Sequence, residues 1–221
     1  MDVRGFTVGP VQENTWIARR DERSGDERSA RGRTTQALLI DPGDEPERLE
    51  QAIAALGVTV EAILITHTHF DHVGAVAPLA RATGAPVYCP AGEVQWLEHI
   101  VTFPGFGPFE GYTPEHTVAG GDRLSLAGFD IDVISTPGHS LDHVTYSLAD
   151  EQAIFSGDVL FQGSVGRTDL PGADHATLMA SIATLLDTLP DDTRVIPGHM
   201  GTTTLGRERA TNPFLRELAP R

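Results

Sequence analysis

The chain has 221 residues, 40% of them apolar, with one cysteine and a formal net charge of -15. That is enough length to bury a real core. No apolar run approaches the roughly 20 residues of a membrane span, and one cysteine cannot form an intrachain disulfide. An acidic surface argues against nucleic acid or anionic membranes as partners. All 16 basic residues are arginine, so no lysine can form a Schiff base.

The N-terminus, MDVRGFTVGP, has no basic region followed by an apolar one, and so no signal-peptide pattern. With the single cysteine, this points to the cytoplasm. RGFTV and NTWIA alternate as strands, and QALLID is an apolar strand ending at Asp41-Pro42-Gly43. Between them RRDERSGDERSARGRTT is nearly free of apolar residues. It reads as a long mobile loop, about residues 20–35, with a partner-binding arm as the alternative.

EPERLEQAIAAL carries apolar residues at helical spacing, with Pro46 and acidic groups in its first turn. VEAILIT reads as a strand, VGAVAPLARATG as a helix ending at Gly84, PVYCP as a strand and GEVQWLEHI as a short helix. FPGFGPFEGYTP is a surface loop, where Phe106, Phe109 and Tyr112 pack or wall a cleft. DRLSLAGFDIDVIST predicts a hairpin turning near Gly128. HVTYSL and QAIFSGD are further strands, ATLMASIATLLDTL is an amphipathic helix, and RVIPGH closes the strands. No linker divides the chain. Alternating strands and helices predict a single α/β domain over residues 1–221, a four-layer αββα sandwich.

Nine residues are histidine, and their placement is informative. After VEAILIT comes His67-Thr68-His69-Phe70-Asp71-His72. After DVIST comes Pro137-Gly138-His139, after AIFSG comes Asp158, and after RVIP comes Gly198-His199. In a layered fold these four strand ends can meet at one edge. His67 and His69 project to one side of an extended chain, and a turn then brings Asp71 and His72 round to the same point. One ion cannot use all these groups. Five imidazoles and two carboxylates suit two divalent ions sharing a bridging carboxylate, zinc above all, with iron or manganese as alternatives. A lone PGH is weak; HxHxDH with the other three segments in this order is specific.

GPVQENTW, THTHFDH, TPGHS, SGDVLFQGSVGRTDLPGAD and IPGHMGTTTLGRERATNPFL together resemble the metallo-β-lactamase superfamily. The likeness runs from about residue 6 to residue 218 and is closest to the glyoxalase II (hydroxyacylglutathione hydrolase) branch, in its short single-domain bacterial form. It implies His67, His69 and His139 on one metal, Asp71, His72 and His199 on a second, and Asp158 as the bridge. Diiron redox relatives carry glutamate at the position of His69, so histidine there favours hydrolysis.

The implied reaction is cleavage of a 2-hydroxyacyl thioester, such as S-D-lactoylglutathione, to a hydroxy acid and a thiol. A metal-bridging hydroxide attacks and Asp71 orients it. Arg167 either meets a substrate carboxylate or pairs internally with Asp169. Ser140 and Asp142 are candidates to support an imidazole N–H; His143 is a candidate for the same layer or a plain strand residue. His99, His116 and His175 read as surface or capping residues, and Cys89 as a buried small hydrophobe.

The chain departs from full-length glyoxalase II enzymes in ending about twenty residues after His199, before their helical extension with its basic glutathione contacts. This leaves the thiol carrier open, and Arg207 and Arg209 are candidate replacements. Two other activities fit the resemblance. One is a persulfide dioxygenase using a single iron on His67, His139 and Asp158; the other is a lactonase or β-lactamase. A non-enzymatic role would show a lost ligand, and none is lost. Oligomeric state is not legible.

Overall fold

The computed structural model describes residues 1–20 and 35–218. The loop expected at 20–35 lies outside the described residues except at its two ends. Two six-stranded sheets are built in chain order. The first comprises β1 (Asp2–Val8), β2 (Glu13–Arg19), β3 (Thr35–Ile40), β4 (Val58–Leu64), β5 (Val87–Pro90) and β6 (His116–Val118), adjacent in that order. The second begins with β7 (Arg123–Leu126), β8 (Phe129–Ser135), β9 (Val144–Leu148) and β10 (Ala153–Gly157). A small hairpin, β11 (Leu160–Phe161) and β12 (Ser164–Val165), follows. β13 (Arg194–Pro197) and β14 (Thr203–Thr204) then complete the second sheet, whose spatial order is β14-β13-β10-β9-β8-β7.

Strand periodicity explains the layering. In β3, Leu38 and Ile40 face the second sheet while Ala37 and Leu39 face the helices. Ala62 and Leu64 of β4 likewise join Phe129, Ile131, Val133, Tyr146 and Phe155 between the sheets. The helices α1 (Pro46–Leu56) and α3 (Val76–Thr83) cover the outer face of the first sheet through Leu49, Ile53, Val76 and Leu79. The helix α5 (His175–Thr188) covers the second through Leu178, Ile182 and Leu185 against Ile154 and Val195. Each such fully buried aliphatic side chain contributes roughly 1.5–3 kcal/mol. These are the four layers expected. Among the described residues, no helix is long and apolar enough to cross a membrane.

The local signals act as their chemistry dictates. Pro46 stands at the start of α1, and Gly57 ends it at φ 64. Three findings differ from the sequence reading. The expected helix VGAVAPLARATG is split into α2 (Phe70–Val73) and α3, because the Ala75 amide leaves the helical ladder and donates to the Pro42 carbonyl at 3.0 Å. GEVQWLEHI is a 3-10 turn over Ala91–Glu93 followed by α4 (Val94–Glu98). A further helix, α6 (Leu205–Thr211), follows β14; its seven residues are too few for a clear apolar period.

Candidate metal centre

The parallel pairing of β3 with β4 sets Ile40 beside Leu64, so Asp41 and Thr66 emerge from adjacent strand ends. Asp41 takes a left-handed conformation at φ 48, which a short acidic side chain tolerates. Its carboxylate accepts from the Thr66 amide at 2.7 Å and from the Thr66 hydroxyl at 2.6 Å. This bond aims the loop that follows. The backbone is still extended at His69 (φ -62, ψ 144) and then enters α2. Asp71 and His72 thus fall in the first turn of a helix whose entry carries His69.

The sequence-predicted donors meet at one point. His67 Nε2 lies 3.1 Å from His69 Nδ1, which lies 2.8 Å from His139 Nε2. The potential ligand atoms of these three residues form one close group, and those of Asp71, His72 and His199 form another. Asp158 stands between the groups. Its Oδ1 is 3.3 Å from His72 Nε2, and its Oδ2 is 3.5 Å from both His139 Nε2 and His199 Nε2. His199 Nε2 is also 3.3 Å from Asp71 Oδ2.

The outward ring nitrogens fix the tautomers. His139 Nδ1 donates to the Arg167 carbonyl at 2.8 Å, and His199 Nδ1 to the Gln12 carbonyl at 3.2 Å. Each Nε2 therefore presents a lone pair to the centre. His72 Nδ1 is 3.1 Å from Asp41 Oδ2. His143, buried in β9's approach, takes the Asp158 amide on Nε2 at 3.2 Å and bonds Thr136 Oγ1 through Nδ1 at 3.0 Å. Its ring stacks 4.9 Å from that of His67. It belongs to the layer that supports the donors.

The residues fit a pair of cations. His72 Nε2 and Asp158 Oδ1 are buried with no hydrogen-bond partner, an arrangement that costs free energy unless something completes it. Burial holds the His67 ring well below its ordinary pKa, helped by the neighbouring imidazoles. His69 is pushed down to about 4, by burial and then by His139. Both are neutral, the form that ligates metal. Burial alone would raise Asp158, but His72 opposes it and holds the carboxyl well below the usual range. For His72, burial is outweighed by Asp158, which raises it. A cation at the centre would give both His72 Nε2 and Asp158 Oδ1 a partner.

Three supporting carboxylates carried no recognisable pattern in sequence. In the sequence Asp41 reads only as a strand end. Glu13 is fully buried; its Oε2 accepts from Thr15 Oγ1 at 3.1 Å while Oε1, 3.8 Å from His72 Nδ1, has no hydrogen-bond partner. Burial pushes its carboxyl well above the carboxylate range. Glu93 Oε2 accepts from the Thr68 amide at 2.6 Å and the Thr68 hydroxyl at 2.9 Å. Its Oε1 accepts from the Ser140 hydroxyl and from the Asp142 amide. Ser140 and Asp142 thus do not support an imidazole, contrary to expectation. Ser140 reaches Glu93, and Asp142 accepts from the Gly92 amide at 2.6 Å.

A cleft of about 550 Å³ opens onto the centre. Arg167 lines it, but its guanidinium is engaged by Asp169 through two bonds of 2.7 and 2.8 Å. The internal pair is therefore what the structure holds, and the Arg167 carbonyl is the part that touches a donor. Phe106 also lines the cleft, while Phe109 stacks on Phe70 at 6.1 Å. His99, His116 and His175 are exposed, and Cys89 is buried.

Comparison with known proteins agrees with this centre. The profile described as "Metallo-beta-lactamase superfamily" matches residues 31–199. The chain is 38% identical to the hydroxyacylglutathione hydrolase GloC of Haemophilus influenzae, over 97% of this chain and 98% of that protein. Among solved structures, TTHA1623 in a di-iron-bound form is 42% identical with a TM-score of 0.78, covering 96% of this chain and all of that one. The BLEG-1 B3 metallo-beta-lactamase is 36% identical with a TM-score of 0.85, covering 97% of this chain and all of that one. Fold, donor cluster and matched profile together establish that this chain belongs to the metallo-beta-lactamase superfamily and is a metallo-hydrolase of that superfamily.

Proposed function

We propose that the chain is a single-domain, dinuclear-metal hydrolase that cleaves a 2-hydroxyacyl thioester to a hydroxy acid and a free thiol. The observation that carries this reading is Asp158, whose Oδ1 faces His72 and whose Oδ2 lies 3.5 Å from both His139 of the first group and His199 of the second. In it, His67, His69 and His139 hold one ion, Asp71, His72 and His199 hold the other, and Asp158 is shared. The donor set suits zinc. Two bound cations would supply a nucleophile at neutral pH and take up oxyanion charge.

The chain's own residues do the rest. Asp71, whose Oδ2 faces His199, is placed to orient the attacking water. Asp41, the Arg167 carbonyl and the Gln12 carbonyl hold three rings in orientation. Phe70 and the apolar cleft walls limit water. A thiolate leaves readily, so no general acid is needed at sulfur. Similarity to GloC, a hydroxyacylglutathione hydrolase, supports the thioester as substrate class.

The likeness to the BLEG-1 B3 metallo-beta-lactamase supports a second reading, β-lactam hydrolysis at the same centre. The deciding experiment assays zinc-loaded protein for loss of S-D-lactoylglutathione thioester absorbance, for nitrocefin cleavage and, iron-loaded, for oxygen uptake with glutathione persulfide. Thioester turnover that disappears in His67→Ala is expected. Oxygen uptake without hydrolysis would overturn the hydrolase reading in favour of a persulfide dioxygenase.

A further inference from the structure

Apolar side chains on the surface are not evenly spread. Among the described residues, the exposed large hydrophobics are Val11, Trp96, Val101, Phe103, Leu141, Met200 and Phe214. The first five of these rim the cleft that opens onto the donor cluster. Phe103 is 52% exposed and Leu141 68%. Scattered apolar residues need no explanation; a contiguous set around a site does.

The wall is fixed to the reaction centre. Phe70 stands between the donors His69 and Asp71, and its ring lies 5.0 Å from Phe106 and 6.0 Å from Phe103. A substrate group leaving the reacting carbonyl on this side meets aromatic carbon at once. Charge points the same way. Apart from the donors and the fully engaged Glu93, the charged residue lining the cleft is Arg167, which Asp169 neutralises. The chain carries a net charge of -15. Among the described residues lining the cleft, no unpaired cation stands ready for the carboxylates of glutathione.

We propose that the thioester cleaved here carries an uncharged apolar group, seated against Trp96, Val101, Phe103 and Leu141, and that an anionic thiol such as glutathione is not the preferred carrier. This rests on the thioester-hydrolase reading and names its substrate class. A group buried there gains hydrophobic free energy with each methylene, which raises kcat/KM about fourfold per carbon until the cleft is filled.

The test has a kinetic and a binding arm. The zinc-loaded protein is assayed with neutral N-acetylcysteamine thioesters carrying lactoyl, 2-hydroxybutanoyl, 2-hydroxyhexanoyl and 2-hydroxyoctanoyl groups, beside S-D-lactoylglutathione. Independently of turnover, the non-hydrolysable thioethers S-methyl- and S-octyl-N-acetylcysteamine are titrated against tryptophan fluorescence, with Trp96→Phe identifying the signal. Expected are a higher kcat/KM for the neutral lactoyl thioester than for its glutathione counterpart, and a rise with chain length. Phe103→Ala and Leu141→Ala should each lower the 2-hydroxyoctanoyl value by about tenfold relative to the lactoyl value. A flat chain-length series, or a preference for the glutathione thioester, sinks the proposal while leaving the hydrolase intact. If no thioester is cleaved, the thioesterase reading fails by itself. Tighter binding of the octyl than of the methyl thioether then still upholds the apolar seat, and equal binding removes that as well.

Discussion

Glu93 and Thr68 are joined twice: one carboxylate oxygen takes both the amide and the hydroxyl of Thr68, at 2.6 and 2.9 Å. Thr68 sits between two donors, His67 and His69. The other oxygen of Glu93 holds Ser140 and Asp142, on the loop that carries His139. One buried carboxylate therefore ties the histidine loop of the first sheet to that of the second. Glu93→Ala should leave the Thr68 amide unsatisfied and cost about 1–3 kcal/mol. Metal content should fall first at the His67, His69 and His139 group. Urea denaturation and metal analysis check both parts. Unchanged metal stoichiometry would mean that the two loops hold their positions without the clamp.

Asp158→Ala removes the group shared by the two donor sets. Protein purified from zinc-supplemented medium should lose at least one metal equivalent and all thioester turnover. A fully metallated, fully active variant would falsify the dinuclear assignment. Asp158→Asn gives a finer reading, since it keeps the shape and one acceptor oxygen but removes the charge and turns the other oxygen into an NH2 donor, so bridging should fail while one ion is still held.

Gly198 is packed against the centre, and a β-carbon there would overlap Asp158 Oδ1 and the His72 ring. Gly198→Ala must push one of them aside. Overpacking of this kind costs about 1–3 kcal/mol, and here the displaced atoms are proposed ligands. Metal affinity should drop more than thermal stability does; a calorimetric titration beside a melting curve separates the two.

Asp174 caps α5, its side chain accepting from the Thr177 amide at 2.7 Å. The Thr177 hydroxyl and amide hold its carboxyl below the ordinary value. A depressed folded pKa stabilises above the unfolded value of about 3.9 and loses that stabilisation as pH falls through the folded one. Asp174→Asn still caps but does not titrate. The difference in urea midpoint between wild type and this variant should be constant near neutrality and change only in the acid limb. The effect is small because the group is exposed and screened.

The donors were legible because they are local. Four of the seven lie within six residues, and the others follow strands whose apolar runs end abruptly. Their convergence needed only the rule that strand ends share an edge. The supporting carboxylates were not legible, because each acts across the fold. Asp41 reaches Thr66 only through the β3–β4 register, and Glu93 reaches Ser140 only because the second sheet folds over the first. The break between α2 and α3 depends on Pro42 offering a carbonyl to Ala75, a contact no helical periodicity encodes. β6, β11, β12 and β14 are two or three residues long, below the length at which alternation can be recognised.

The distribution of the donors has a consequence for how the chain is held together. His67, His69, Asp71 and His72 extend from the first sheet, whereas His139, Asp158 and His199 extend from the second. An ion bound as proposed is therefore a staple between the two sheets; the one on Asp71, His72 and His199 closes a loop of more than half the chain, from Asp71 to His199. A covalent bridge over about 100 residues restricts the unfolded chain by roughly 4–5 kcal/mol, and coordination draws on the same entropy. With a single, buried cysteine, no intrachain disulfide can supply a fastening of this reach. Mobilising the ions would slacken the join between the sheets well before either sheet came apart.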